Sequence, residues 1–297
     1  MTTEPDHKQK TIVITGASDG IGLEAASQLA AQGHHLVMVG RTPAKLTAAV
    51  KRIRAESPGT QVESFLCDNT SLEDVRGLAH ELLAAYPRID VLVNNAGTVF
   101  DKRTVTPDGI EATFQVNHLA GFLLTELLLD RIVASGPARI VTTSSIGHYS
   151  GTMDFDDLGF ERGYQIMRAY GRSKLANVLH TRHLARRLEG TGVTVNCLHP
   201  GAVATNIWSG APWFARPFLA VAKRVMMISP ATGGERLAYL AASPEVEGRT
   251  GGYYEQDALK EPSSLARDDQ VAERLDAVSR ELVGLVPTGT AEPGPSA

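Results

Sequence analysis

The chain has 297 residues, enough to bury a sizeable core in one large domain or two small ones. Its net charge of −4, with acidic and basic residues interspersed, gives no reason to expect nucleic acid or an anionic membrane as partner. Two cysteines, Cys67 and Cys197, fall in apolar runs and read as small buried hydrophobes rather than a disulfide or a metal pair, which suits a reducing cytoplasm.

Residues 1–10 are polar, read as a flexible terminus and lack an apolar signal core. No run approaches the ~18 apolar residues of a membrane span, so a cytoplasmic protein is expected. Thr11 to Thr15 is a β-branched run and predicts a buried strand. Gly16-Ala17-Ser18-Asp19-Gly20-Ile21-Gly22 follows and opens an Ala-rich helix through about Gln32, ended by Gly33. Strand, glycine turn and helix in that order form the context of a phosphate-binding loop, in which unpaired N–H groups meet a pyrophosphate. The alternative is a tight turn without a ligand. His35 to Val39 predicts a second strand, ending in Gly40-Arg41. Where such folds bind a dinucleotide, an acid at that strand end takes the ribose 2′-hydroxyl and a base the 2′-phosphate. Arg41 therefore points to phosphate, or else is a surface arginine ending the strand.

Pro43 starts a further helix. Gln61 to Cys67 alternates as strand three, closed by Asp68-Asn69, and Ser71 caps the helix Leu72 to Tyr86 with Asp74 three residues on. Ile89 to Val93 is strand four, with Asn94-Asn95-Ala96-Gly97 at its end, where small residues admit a flat ring and the amides lock the turn or hold the neighbouring strand. A long helix is predicted from about Pro107 to Leu129, with Asn117 in its middle, an unfavourable interior residue unless its amide is used. Arg139 to Thr143 is strand five, ending in Ser144-Ser145, and His148 to Gln165 is a polar, glycine-broken excursion.

In Ala169-Tyr170-Gly171-Arg172-Ser173-Lys174, the Tyr170 and Lys174 side chains stack on one helix face. An ammonium one turn away favours the phenolate and is expected to lower the phenol pKa, which supports acid–base work; a solvated surface pair is the plain alternative. Val193 to Leu198 is strand six, followed by His199-Pro200-Gly201. Thr205 to Ser229 is a loop or helical flap holding Trp208, Trp213, Phe214 and Phe218. Pro230 to Ala242 is a helix, Gly251 to Tyr254 a last short strand, Asp269 to Leu285 an amphipathic helix, and the tail from Pro287 disordered. Strands alternating with helices predict an α/β fold: one doubly wound parallel sheet, helices on both faces, functional groups at the carboxyl ends of the strands.

Thr15-Gly16-x3-Gly20-Ile21-Gly22, Asp68, Asn94-Asn95-Ala96-Gly97, Asn117, Ser145, Tyr170-x3-Lys174 and Pro200-Gly201 together resemble the short-chain dehydrogenase/reductase family, from Thr11 to about Leu285. Asn117-His118-Leu119, Ser173-Lys174-Leu175-Ala176-Asn177 and Leu198-His199-Pro200-Gly201 are similar to its retinol-dehydrogenase-like branch, as is the long step from Ser145 to Tyr170. Asp19 and Asp276 depart from the branch, the first bearing on the cofactor and the second on substrate identity.

The resemblance implies a single-domain enzyme over residues 11–286, with residues 205–229 as a substrate loop and 287–297 as a tail. It implies NADP(H), with NAD(H) open, and hydride transfer to or from an apolar carbonyl or alcohol. Tyr170 is then the general acid and base. Ser145 steadies the reacting oxygen, with Ser144 as its competitor. Lys174 lowers the Tyr170 pKa and binds the ribose, and Asn117 holds a water that links Lys174 to solvent. Cofactor contacts are implied for Gly16, Ser18, Asp19, Gly20, Ile21, Gly22, Arg41, Asp68, Asn69, Asn95, Ala96 and Gly97. They extend to Tyr170, Lys174, Pro200, Gly201, Val203 and Thr205. Substrate contacts are implied for Ser145, His148, Tyr170, Trp208, Trp213 and Phe214. No metal is expected, and a homo-oligomer stays open. The other readings are a silent dinucleotide-binding regulator and a non-redox lyase or epimerase of the same fold.

Overall fold

The computed structural model describes residues 9–201 and 228–285. Among them lies an eight-stranded sheet in the order β3-β2-β1-β4-β5-β6-β7-β8. Its strands are β1 (Thr11–Thr15), β2 (His35–Gly40), β3 (Val62–Leu66), β4 (Val91–Asn94), β5 (Ala138–Thr143), β6 (Val193–His199), β7 (Tyr253–Glu255) and β8 (Ala258–Lys260). β1 to β7 pair in parallel, and both faces of the sheet are covered, which is why β1, β2 and β4 read as unbroken apolar runs.

One face packs α1 (Gly20–Ala31), α2 (Pro43–Glu56) and α7 (Pro230–Ala242) over Ile12, Ile14, Leu36 and Met38. The opposite face packs α3 (Leu72–Ala85), α5 (Ala120–Ala134), α6 (Ile166–Arg187) and α8 (Asp269–Leu282) over Val13, Val37, Leu92 and Ile140. Side chains alternate across the pleat, so Ile12 and Val13 supply the two cores in turn. The cap of α3 is the one the sequence expects. Ser71 Oγ accepts from Asp74 N at 3.1 Å and donates to its carboxylate at 2.9 Å, and Ser229 Oγ accepts from Thr232 N at 3.1 Å.

Two expectations need correcting. The helix expected from Pro107 begins at α4 (Ala112–Phe114), passes through a π turn over Gln115–Leu119, and continues through α5 to Ala134. Residues 105–111 instead form a small loop closed by a Val105–Glu111 bridge, with Gly109 at φ 79°. The Glu111 carboxylate then caps the amides of Thr113 and Phe114, both at 2.8 Å. The sheet is also not wholly parallel, since β8 pairs antiparallel with β7. Their tight turn holds Gln256 and Asp257 at positive φ, 51° and 67°, without the glycine or asparagine that marks such hairpins in a sequence. The strand order reverses between β1 and β4, and a crevice opens there at the carboxyl ends of the strands.

Candidate active site

The crevice is a cleft of about 720 Å³ that runs across the carboxyl ends of β1 to β6. At its centre Gly16 and Gly20 take left-handed conformations, φ 66° and 56°, which a side chain would strain. A Cβ on Gly22 would strike the Gly16 carbonyl, and one on Gly16 would come within 2.9 Å of Ala96 Cα. Glycine spacing here thus lets turn, helix and neighbouring strand close on each other. Gly16, Ser18, Asp19, Gly20 and Ile21 line the cleft, while Gly22 packs beneath the turn and is absent from its wall.

The amides after β4 do both things that the sequence left open. Asn95 Nδ2 donates to the carbonyls of Thr15 (3.1 Å) and Gly16 (3.4 Å), and Asn95 Oδ1 accepts from Thr143 Oγ1 at 3.1 Å. Asn94 Nδ2 donates to Thr125 Oγ1 at 2.8 Å, tying α5 to the sheet. Ala96 and Gly97 present backbone to the cleft. A Cβ at Gly97 would stand 3.2 Å from Asn117 Oδ1 and 3.4 Å from Lys174 Nζ.

Arg41 follows β2 and lines one end of the cleft, with Asp68 and Asn69 after β3 beside it. Asp68 Oδ1 accepts from Thr70 N and Oγ1, at 3.0 and 2.9 Å, which holds the loop's shape. Lys45, which sequence reasoning missed, lines the same wall and reaches Asp19 Oδ2 at 2.9 Å. Its position, four residues after Arg41 in the first turn of a helix, was the available signal.

At the other end stand Ser145, Tyr170, Lys174, Pro200 and Gly201. Ser145 begins a 3₁₀ turn over Ile146–Ser150, and its Oγ accepts from Gly147 N at 3.1 Å. A Cβ on Gly147 would meet the Tyr170 ring at 3.2 Å, so glycine there lets the ring approach Ser145. Ser144 is turned the other way, 1% exposed and donating to the Lys174 carbonyl at 2.8 Å. Both serines line the cleft, and of the two it is Ser145 that hydrogen-bonds Tyr170.

Lys174 Nζ lies 5.7 Å from the Tyr170 ring centroid and donates to the Thr143 carbonyl at 3.0 Å. Burial draws the Lys174 ammonium down to about 8. Burial also pushes the Tyr170 phenol above its usual value, opposed by a hydrogen bond with Ser145. The expected lowering of the phenol is therefore corrected for the free protein, where removal from water is the largest influence and raises it.

Asn117 sits in the π turn. Its Oδ1 accepts from Thr98 N at 2.7 Å, and its Nδ2 donates to the Thr98 carbonyl and Ser173 Oγ, both at 3.0 Å. The amide is thus committed to protein partners. The wider turn lets Asn117 face the cleft-end loop without a helix-breaking residue.

Two further expectations fail. His148 is fully buried: its Nδ1 donates to the Ser145 carbonyl at 2.8 Å and its Nε2 accepts from Ser263 N at 3.2 Å, so it props the 3₁₀ turn and is no part of the cleft wall. Asp276 lies on the far face in an ion cluster with Arg280 (2.7 Å) and, at 3.7 Å, Arg187, so it bears on packing, not on substrate. Val203, Thr205, Trp208, Trp213 and Phe214 lie outside the described residues. His199 is a cleft residue that sequence reasoning did not single out; burial foremost holds its imidazole near 4, hence neutral. Cys67 and Cys197 are free and buried, which raises both thiols to about 12. No group of metal-ligating side chains occurs among the described residues.

The family model for short chain dehydrogenases matches residues 10–212. The chain belongs to that family. This short-chain dehydrogenase is 41% identical over 281 residues to retinol dehydrogenase 13 of Homo sapiens, covering 93% of this chain and 85% of the relative. It is also 41% identical over 280 residues, 93% of each chain, to a Streptomyces sp. (strain C5) protein assigned as the daunorubicin C-13 ketoreductase DnrU. A short chain dehydrogenase of Shigella flexneri 2a str. 301, solved with NADP, superimposes with a TM-score of 0.67 at 27% identity, over 86% of this chain and all of that one. The protein is a hydride-transfer oxidoreductase acting between alcohol and carbonyl. Its residues fit a nicotinamide dinucleotide: the cleft is lined by Gly16 and Gly20, which carry no side chain, by the start of α1 and by a cation after β2. Among the described residues no helix is long and apolar enough to cross a membrane.

Proposed function

We propose that this short-chain dehydrogenase is an NADP(H)-dependent enzyme for bulky apolar ketones, aldehydes and the matching alcohols. Residues 11–286 form its catalytic domain, residues 205–229 its substrate loop, and the cytoplasm, which keeps Cys67 and Cys197 reduced, its location. The observation that carries the reading is one cleft with Ser145, Tyr170 and Lys174 at one end and Arg41 with Lys45 at the other. When bound, the nicotinamide supplies or takes the hydride.

The chain's own groups handle the proton and the charge. In reduction the Tyr170 hydroxyl gives its proton to the carbonyl oxygen; in oxidation the phenolate takes the proton from the alcohol. Ser145 donates a hydrogen bond to that oxygen as it gains negative charge. Lys174 keeps a positive charge beside the phenol, favours phenolate when the proton leaves, and binds the cofactor's ribose. Asn117 holds the Thr98 backbone and Ser173 in register with that end of the cleft.

Arg41 and Lys45 favour a 2′-phosphate, and the Shigella relative solved with NADP agrees with that preference. The names of the retinol and daunorubicin relatives, and the exposed Ile146 and Met167 on the cleft wall, favour a large apolar substrate. The test follows NADPH and NADH absorbance over retinoids, steroids, aliphatic aldehydes and aromatic ketones. Turnover of a bulky member with NADPH is the expected result. Tight NADPH binding with no turnover of any member would make the protein a dinucleotide-binding regulator instead.

A further inference from the structure

We propose that Asn177 is a positioning residue for the reaction, whose side-chain amide ties together the elements bearing Asn117, Ser145, Tyr170 and Lys174. The inference rests on the proposed function above and deepens it. Asn177 lies three residues after Lys174 on α6 and is 3% exposed. Its Nδ2 donates to the Asn117 carbonyl at 3.0 Å, on the π turn, and to the Thr143 carbonyl at 3.2 Å, at the end of β5. That same Thr143 oxygen accepts from Lys174 Nζ at 3.0 Å. One amide thus holds α6, the π turn and β5 at a common point, and the point is the carbonyl on which the buried ammonium rests. Thr143 also leads directly into Ser144-Ser145, so a shift of its peptide moves Ser145.

The orientation of the amide is forced rather than chosen. Two carbonyl oxygens face Nδ2, and neither can donate, so the NH₂ must point at them. Oδ1 is then an acceptor, and His118 Nδ1, at 3.2 Å, must carry the proton. Burial keeps the His118 imidazole neutral, with a pKa near 3, so its Nε2 offers a lone pair to the Ser279 hydroxyl at 3.1 Å. Hydrogen bonds therefore run one way from Ser279 on α8, through His118 and Asn177, to the two carbonyls.

Both N–H groups of Asn177 and its oxygen are used. A buried amide in mid-helix is costly unless satisfied, and here a leucine would leave the buried His118 N–H without its acceptor. A fully satisfied buried network, by contrast, confers rigidity. Rigidity is needed at this point, because Lys174 and Ser145 must both stand correctly against one small reacting centre.

The test uses the full-length enzyme, NADPH and the panel carbonyl that turns over fastest. In Asn177→Leu, kcat should fall by about 10–100-fold, the effect of displacing catalytic groups by around an ångström. NADPH affinity, read by fluorescence titration, should fall by a smaller factor than kcat, since Asn177 is no part of the cleft wall and reaches the cofactor only through Lys174. Asn177→Asp keeps the acceptor for His118 and recovers a donor only when its carboxyl is protonated. Its kcat relative to wild type should therefore rise as pH falls, whereas the ratio for Asn177→Leu should be flat. Ser279→Ala should show a smaller loss in kcat. Should the leucine variant not fold, the aspartate variant carries the test.

Folded Asn177→Leu with kcat within about threefold of wild type would overturn the proposal. A flat pH ratio for Asn177→Asp would do the same, as would a loss that only follows the unfolded fraction. Failure of the parent reading looks different. There, wild type turns over no carbonyl, or Tyr170→Phe stays active, and the proposal for Asn177 falls with it. With Tyr170→Phe inactive and Asn177→Leu fully active, only the Asn177 proposal is lost.

Discussion

Lys174 is held at a cost to the fold. Its folded pKa of about 8 lies below the 10.5 of a free lysine, so at neutral pH the charged form is disfavoured on folding. The unfolded chain binds the extra proton between those two values, so this group adds stability as pH rises through the window, and its penalty is complete below it. Lys174→Met should therefore raise the melting temperature of the free protein at pH 7. The penalty removed is on the order of 3 kcal/mol, less the hydrogen bond to the Thr143 carbonyl. The advantage should shrink above about pH 8 and vanish near pH 10.5; melts across that range decide it, and a pH-independent difference would be against it. Such a stability loss at a working residue is the usual trade with activity. Arg41 and Lys45 make a second case. Arg41→Ala should weaken NADPH by roughly 10–150-fold, the worth of a charge-assisted hydrogen bond, and leave NADH almost unchanged. Lys45 is already paired to Asp19, so Lys45→Gln should weaken NADPH by a smaller factor and Asp19→Asn should strengthen it. Isothermal titration of both dinucleotides checks this, and equal weakening of the two would remove the NADP preference.

The elements divide into those that carry the cleft and those that brace it. The bracing of α5, α6 and α8 centres on a buried ion cluster: Arg280 meets Asp276 at 2.7 Å and Glu126 at 2.6 Å, and Arg187 meets Glu126 at 2.6 Å. Asp276→Ala strips a buried arginine of one partner, so it should lower stability by roughly 3–5 kcal/mol while KM for carbonyl and NADPH stays put. A changed KM with an unchanged denaturation midpoint would return Asp276 to the substrate site. The proposed loop at 205–229 makes the opposite prediction. Trp213→Ala should raise KM for bulky carbonyls by one to two orders of magnitude, for roughly 100–200 Å² of lost contact at about 25 cal/mol per Å². It should leave the melting temperature nearly unchanged; a large drop with KM intact would assign Trp213 to the protein's own packing. The starts of α2 and α3 were legible because Pro43 and Ser71 are strong local signals. The π turn was not, since Gln115 to Leu119 has ordinary helical residues and its register is set by Asn177 and Thr98 from afar.

At the scale of the molecule, the mostly parallel sheet with a crevice at the carboxyl ends of its strands follows from alternation of buried strands and helices, a pattern that a single sequence displays openly, whereas the strand order came from the structure. The glycine turn, Tyr170 with Lys174, and Ser145 were legible for the same reason: each lies within a few residues of a strand or helix end. What escaped depends on contacts between distant segments. His148 reads as an exposed loop residue until Ser263, far along the chain, closes over it, and Lys45 acquires its place only when α2 brings it to Asp19. The fold brings these parts to one cleft, and the claim on which the rest stands is that Tyr170 moves the proton. The direct test is kcat of Tyr170→Phe with NADPH and an apolar carbonyl, alongside NADPH affinity. A loss of ~10²–10⁴-fold in kcat at nearly unchanged affinity is predicted. A variant that kept more than about a tenth of wild-type kcat would contradict it.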